Sequence, residues 1–331
     1  MEGMFAVSLL SNFQVMSFIT RAAIEEAHKR IEPFIHRTPV LTCKTIDALA
    51  GASLYFKCEN FQKIGAFKIR GGMNATLSLT EAERSKGLCT HSSGNHAQAI
   101  AFAAREVGTK AYIVMPENSP KVKVNAVQGY GAEVHFCAPN QQARESTVQQ
   151  IMEKTGATFI HPYDNYEVIT GQATAAKELI EDHGPFDIIM APVGGGGLLS
   201  GTSLSAHYFT EGTTVFAGEP EGAADAILSF KSGQIEKAPF INTIADGLLT
   251  TLGEKTLPII RAHVKDILLA DEDGIKAALK LVYERMKIVV EPSCVVPLAA
   301  LLRNKGLFAG KKVGIILSGG NIDLKKLSDW M

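Results

Sequence analysis

From about residue 87 onward, short β-branched and apolar runs alternate with longer stretches in which apolar residues recur every three or four positions. The runs at 88–91, 110–115, 133–137 and 158–161 read as strands, and the stretches at 97–107, 121–130, 141–154 and 171–182 read as helices. Alternation at this spacing predicts parallel sheet with helical crossovers. Residues 187–193, Asp-Ile-Ile-Met-Ala-Pro-Val, are too apolar for either face to meet water, so this strand is expected to be central. The run at 313–317 has the same character, and both end in glycines. Ligands of parallel sheets sit beyond the carboxyl ends of the strands, so two strands point at a site. A further helix over 271–287 is opened by an acidic cluster that suits the positive end of its dipole.

Composition narrows the function. The 331 residues are 46% hydrophobic, and 33 Lys+Arg stand against 34 Asp+Glu for a net charge of −1. A chain of this length can bury about three quarters of its unfolded surface and is sized for about two domains. The balanced charge lacks the basic footprint of a nucleic-acid binder, and the apolar content argues against disorder. No run reaches the roughly 18 apolar residues of a membrane helix, so neither nucleic acid nor membrane is an expected partner. Residues 4–18 are mildly apolar, but they follow Glu2, lack a basic flank and include Ser8, Ser11, Asn12 and Gln14. They read as a loose or helical extension rather than a signal peptide, with Met16 as an alternative start. The cysteines, Cys43, Cys58, Cys89, Cys137 and Cys294, lie far apart with no C-x-x-C spacing. They read as reduced, mostly buried thiols of a cytoplasmic protein, with no disulfide framework or zinc site.

Four segments carry candidate chemistry. Gly194-Gly195-Gly196-Gly197 joins a buried strand to a helix starting near Leu198, where close backbone approach and a helix N-terminus favour a phosphate. No Lys-Ser/Thr follows, and G-x-G-x-x-G fails at Leu199 and Ser200, so a nucleotide fingerprint is excluded; a tight helix-sheet turn is the plainer alternative. Lys68 lies among apolar residues in Phe67-Lys68-Ile69-Arg70-Gly71-Gly72. Such a lysine usually snorkels to the surface, but burial would lower its pKa and suit it to Schiff-base chemistry. Ser92-Ser93-Gly94-Asn95-His96 offers hydroxyls, an amide and backbone N–H groups at a strand-to-helix junction, which suits a carboxylate. His96 has no partner at a diagnostic spacing and reads better as structural than as an acid or base. Ser318-Gly319-Gly320-Asn321 ends the last buried strand with a neutral hydroxyl or an ordinary turn.

Together these segments resemble the serine racemase and serine/threonine dehydratase group of pyridoxal-phosphate (PLP) enzymes, within the tryptophan synthase β-like fold (fold type II). The resemblance runs from about residue 20 to the C-terminus. It includes Lys57-Cys58-Glu59-Asn60-Phe61-Gln62, Gly65 to Gly71, Ser92 to Gln98, the four glycines, Ala245-Asp246-Gly247, Val290-Glu291-Pro292 and Ser318 to Asn321. It implies two parallel-sheet, three-layer α/β/α domains with the active site in the cleft between them. The large domain would comprise residues 1–77 and 166–331 and the small, mobile one residues 78–165. A homodimer is implied as well.

By the same resemblance Lys68 would carry PLP, Phe67 would flank its ring, Asn95 would bond the 3′-oxygen and Ser318 would face the pyridine nitrogen. Gly194, Gly195, Gly196, Gly197 and Leu198 would cradle the phosphate, with Gly247 and Glu291 also beside the cofactor. The substrate is a small amino acid whose α-carboxylate would bind across Ser92, Ser93, Gly94, Asn95 and His96. The implied reaction is elimination of a β-hydroxyl from L-serine, L-threonine or 3-hydroxyaspartate, with Lys68 as general base, giving a 2-oxo acid and ammonia. Ser93, facing the opposite side of the substrate from Lys68, would permit racemisation, which is the alternative activity. Arg144 matches a position that reaches a substrate's distal group; a surface arginine is the competing reading. Glu219, Ala223 and Asp225 match a divalent-cation loop whose oxygen ligands suit Mg²⁺, Ca²⁺ or Mn²⁺. Ile64 and Tyr163 replace polar residues that bind nucleotide in ATP-stimulated racemases, so ATP activation is not expected. The chain ends ten residues after Asn321. A regulatory domain like that of biosynthetic threonine deaminases, and feedback by isoleucine, are therefore not expected.

Overall fold

The computed structural model describes residues 19–330, so the predicted 4–18 extension lies outside the described residues. Among the described residues ten strands form two sheets: β1 (Val40–Leu41), β2 (Ser53–Cys58), β3 (Leu88–His91), β4 (Ala111–Pro116), β5 (Glu133–Cys137), β6 (Thr158–Phe159), β7 (Ile188–Pro192), β8 (Thr214–Pro220), β9 (Asp266–Ala270) and β10 (Lys312–Leu317). The larger sheet has the order β1-β2-β10-β7-β8-β9, and the smaller has β5-β4-β3-β6. Every pairing is parallel except β1 with β2. The smaller sheet is built wholly from chain between β2 and β7.

Burial explains the layering. All five residues of β7 are buried, as its apolar run requires. In β10, Val313, Ile315 and Leu317 face one core with Leu298 and Leu301 of the Pro292–Arg303 helix. Ile316 faces a second core with Leu198 and Leu199 of the Gly197–Phe209 helix. The period-two alternation thus places helices on both faces. The smaller sheet repeats the scheme. Ile113 and Met115 pack on Ile100 and Ala104, while Tyr112 and Val114 pack toward Val148 and Ile151.

Two helices begin earlier than their apolar pattern predicts. The Asn95–Glu106 helix includes Asn95 and His96 in its first turn. The Tyr166–His183 helix begins five residues before Gly171, because the Asn165 side chain caps it by accepting from the Val168 N–H. Among the described residues no helix is long and apolar enough to cross a membrane, and all five cysteines are free thiols.

Candidate active site

A cavity of about 840 Å³ opens where the carboxyl ends of β3, β7 and β10 converge, lined in turn by Ser92–Gly94, Gly194–Gly197 and Ser318. Four helices begin at its wall: Lys68–Ser78, Asn95–Glu106, Gly197–Phe209 and Pro292–Arg303, the last preceded by Glu291 as its N-cap residue. Their first-turn N–H groups have no intrahelical acceptor, so the cavity wall is a set of anion-seeking donors.

Lys68 is placed by a turn folded against the end of β10. The Phe67 N–H donates to the Ser318 carbonyl at 3.0 Å, and Ala66 bridges to Gly319. Ile64 in that turn has φ +60°, an outlier for a β-branched residue. Its carbonyl accepts a 2.8 Å bond from Asn321 Nδ2, which ties the turn down. Lys68 Nζ donates to the Pro162 carbonyl at 2.7 Å and stands 5.2 Å from the Phe67 ring centroid. Burial pulls its pKa down to about 8, against the attraction of Glu291. At pH 7 about one such amine in ten is neutral, against about one in 3,000 for an ordinary lysine.

The glycine loop is shaped by its neighbours. A methyl group on Gly195 would stand 2.3 Å from the Tyr163 ring, and one on Gly194 would stand 3.0 Å from Leu248 Cα. Gly196 has φ +87°, which glycine supplies without strain. Thr256 Oγ1 donates to the Gly195 carbonyl at 2.9 Å and holds the loop from below.

Asn95 sits in a polar network. Its Nδ2 donates to both Glu291 oxygens at 3.0 and 3.2 Å, and its Oδ1 accepts from Asn321 Nδ2 at 2.8 Å. Burial raises the Glu291 carboxyl to about 7, with the Asn95 bond opposing. Ser92, Ser93, Gly94 and Gly247 line the same cavity. The Gly247 N–H donates to Ser293 Oγ at 2.9 Å. Arg144 lines it too, and its buried Nε has no acceptor. Arg144 thus stands in the cavity wall, half-buried.

The side chain of His96 is turned into the protein. Its Nε2 meets the Ile160 carbonyl at 3.0 Å, and burial holds its pKa well below the ordinary value. Its Nδ1 is buried without a partner. Sequence reasoning missed His161, whose Nδ1 accepts from the backbone N–H groups of Tyr163 and Asp164 at 3.3 and 2.8 Å. Burial lowers it to about 4. It also missed the 2.8 Å Lys123–Asp246 ion pair at the cavity wall.

Glu219, near the end of β8, and Asp225, the N-cap residue of the Ala226–Ser232 helix, are both buried. Both Glu219 oxygens accept backbone bonds, from Ala226 at 2.6 Å and Ile227 at 3.0 Å, and the Ala223 carbonyl accepts from the Asp225 N–H at 3.1 Å. Asp225 Oδ2 is buried without a partner. Among the described residues no group of three or more His, Cys, Asp or Glu side chains gathers as a metal site.

A family model described as pyridoxal-phosphate-dependent enzyme matches residues 31–319. The chain belongs to that family. Within it, the chain is similar to serine racemase from Dictyostelium discoideum, whose crystal structure matches with a TM-score of 0.89 at 54% identity, covering 93% of this chain and all 100% of that one. It is 46% identical over 301 residues to the β-hydroxyaspartate dehydratase of Paracoccus denitrificans (strain Pd 1222), covering 91% of this chain and 96% of that relative. It is 46% identical over 308 residues to the L-threo-3-hydroxyaspartate ammonia-lyase of Saccharomyces cerevisiae (strain ATCC 204508 / S288c), covering 93% and 94%. The cavity suits the cofactor of a PLP-dependent enzyme on its own chemistry. It combines a lysine with a depressed pKa, a glycine cradle that admits no Cβ at Gly195, and a Ser318 wall.

Proposed function

We propose that the protein is a PLP-dependent dehydratase that eliminates the hydroxyl of a β-hydroxy amino acid, with 3-hydroxyaspartate the favoured substrate over L-serine and L-threonine. The observation that carries this reading is that Lys68, the Ser92–Asn95 donors and the acceptor-free Nε of Arg144 share one cavity. The 46% identity to two relatives named for hydroxyaspartate chemistry supports it.

PLP, when bound, supplies the electron sink that makes a substrate's α-proton acidic. Lys68 would hold it covalently, Phe67 would cover its ring, and Gly194 to Leu198 would bind its phosphate through N–H groups. The Asn95 side-chain amide, oriented by Glu291, would bond the 3′-oxygen by giving up one of its two bonds to that carboxylate; Gly247 completes that side. Ser318 offers the ring nitrogen a hydroxyl instead of a carboxylate. A hydroxyl there, unlike a carboxylate, would suit elimination better than transamination. The donors from Ser92 to His96 would hold the α-carboxylate, and Arg144 would grip a distal carboxylate bidentately. The Lys68 amine would take the α-proton, and its low pKa leaves it able to do so near neutrality.

Glu219, Ala223 and Asp225 would bind Mg²⁺, Ca²⁺ or Mn²⁺ through two carboxylates and a carbonyl, with the free Asp225 Oδ2 as the first point of attachment. Residues 78–165 form the small domain, which would close on the large one (1–77 and 166–331) and exclude water. A cytoplasmic homodimer is the inferred setting, which the five free thiols support. Racemisation is the second reading. It rests on Ser93 lining the Lys68 cavity and on the 54% identity to a serine racemase.

The test is a panel of L- and D-hydroxy amino acids, with 2-oxo acid and enantiomer measured together, with and without Mg²⁺ and EDTA. Oxo acid formed fastest from 3-hydroxyaspartate supports the proposal. Enantiomer formed faster than oxo acid, and lost in Ser93→Ala, favours the racemase. A Lys68→Ala protein that still holds PLP covalently defeats both.

A further inference from the structure

Two residues beyond Lys68, Arg70 is completely buried. Its Nε and Nη2 donate to the two oxygens of Glu59 at 2.7 and 2.8 Å. Its Nη1 and Nη2 donate to the two oxygens of Glu178 at 2.8 and 2.8 Å. Nη1 also reaches Thr174 Oγ1 at 3.1 Å, and Nη2 reaches the His36 carbonyl at 3.4 Å. All five guanidinium hydrogens therefore have an acceptor. Lys57, also completely buried, donates to Glu178 at 2.6 Å and to the Thr38 carbonyl at 2.7 Å, while Thr38 Oγ1 donates to Glu59 at 2.6 Å. Two cations and two carboxylates cancel, and His28 Nε2 approaches Glu178 at 3.3 Å from the rim.

Such a cluster gives little net stability, because desolvating four charges offsets their attraction. What it does give is geometry. Successive residues on a helix turn by about 100°, so Arg70 points about 200° away from Lys68. It grips the helix from behind while Lys68 faces the cavity. Apolar side chains cannot do this here, because Gly71 and Gly171 bring two helix backbones into contact. A methyl group on Gly171 would stand 2.5 Å from the Arg70 carbonyl. The two carboxylates belong to other parts of the site. Glu59 directly follows β2, the neighbour of β10, and Ser318 directly follows β10. Glu178 lies on the Tyr166–His183 helix, which follows the Pro162–Tyr163 wall.

We propose that Arg70, clamped by Glu59 and Glu178, is a positioning residue that sets the rotation of the Lys68 helix and so the placement of the Lys68 amine against Pro162 and Ser318. The inference rests on Lys68 being the cofactor lysine, and its test separates the two ideas. In the apoprotein, the pH dependence of Lys68 acylation by a small anhydride, read by peptide mass, reports the amine's surroundings without any cofactor. In the holoenzyme, kcat per PLP-loaded site and KM are measured separately. Arg70→Lys keeps the charge but cannot serve both carboxylates bidentately. It is expected to move the acylation midpoint upward, toward an ordinary lysine, and to lower kcat per loaded site about tenfold with KM within about twofold. Thr174→Val keeps every charge, removes one bond to Arg70, and is expected to give the same changes at about fivefold or less. It supplies the answer if Arg70→Lys does not fold. An unchanged midpoint and unchanged kcat per loaded site, with only thermal stability reduced, would show the cluster to be structural and overturn the proposal. Loss of covalent PLP in Lys68→Ala tests the cofactor assignment alone.

Discussion

Replacing Arg144 by glutamine separates the substrate from its smaller relatives. The side chain is half-buried in the cavity wall, and its Nε is buried without an acceptor. Removing the group therefore breaks no internal bond, and Tm should stay within about 1 °C of the parent. Binding is different. Losing a charged hydrogen-bond partner costs roughly 1.5–3 kcal/mol, which is about 10- to 150-fold in kcat/KM. Only a substrate with a second carboxylate feels that loss, so kcat/KM for 3-hydroxyaspartate should fall by that factor while the value for L-serine stays within about twofold. Continuous assay of the 2-oxo acid reads both. An internal check is available in His91, whose pKa is lowered first by burial and then by the Arg144 charge, so its titration should move upward in Arg144→Gln. Equal losses on serine and 3-hydroxyaspartate, or none on either, would refute the reasoning.

Other outcomes follow from the same geometry. Gly195→Ala places a methyl group 2.3 Å from the Tyr163 ring; overpacking of roughly 1–3 kcal/mol should weaken PLP binding about 5- to 150-fold by absorbance titration, and adding Tyr163→Ala should recover most of it. Lys68 has a folded pKa of about 8 against an ordinary 10.5. The unfolded chain thus holds more protons across that window, and apoprotein stability from this group rises with pH between the two values. The difference in unfolding free energy between wild type and Lys68→Met should show that rise; a flat difference would mean the amine is not desolvated. For Glu291, raised to about 7 by burial, the sign is reversed: its contribution falls as pH rises from the ordinary 4.5 to about 7, and Glu291→Gln should remove that dependence. Mg²⁺ at a hundredfold excess over its Kd should stabilise the protein by about 2.7 kcal/mol, or about 4 °C in Tm for 331 residues. An equal shift in Asp225→Asn would place the ion elsewhere.

Local patterns announced the parallel sheets because buried strands such as β7 must be apolar on both faces. They also located the glycine loop, since only a backbone-lined turn needs four glycines in a row. Helix starts were less visible. Asn95, His96 and the turn from Tyr166 carry capping and cavity-facing residues, which break the apolar period that marks a helix interior. Buried charge was least visible of all. Lys57, Glu59, Arg70 and Glu178 look like surface residues one at a time, and only the crossing of distant elements makes them partners. The Asn95–Glu291–Asn321 network spans more than 200 residues for the same reason.

The strand order also governs how the protein is made. β10 comes last among the described strands, yet it lies between β2 and β7 and is hydrogen-bonded to both. While a ribosome is still translating, β2 and β7 have no common neighbour, and the slot between them stays open until residues 312–317 leave the exit tunnel. The Ser318 carbonyl that receives the Phe67 N–H arrives with them. The smaller sheet, contiguous from Leu88 to Phe159, can assemble much sooner. A nascent chain stalled before residue 312 therefore carries Lys68 without the β10 end against which its turn is folded.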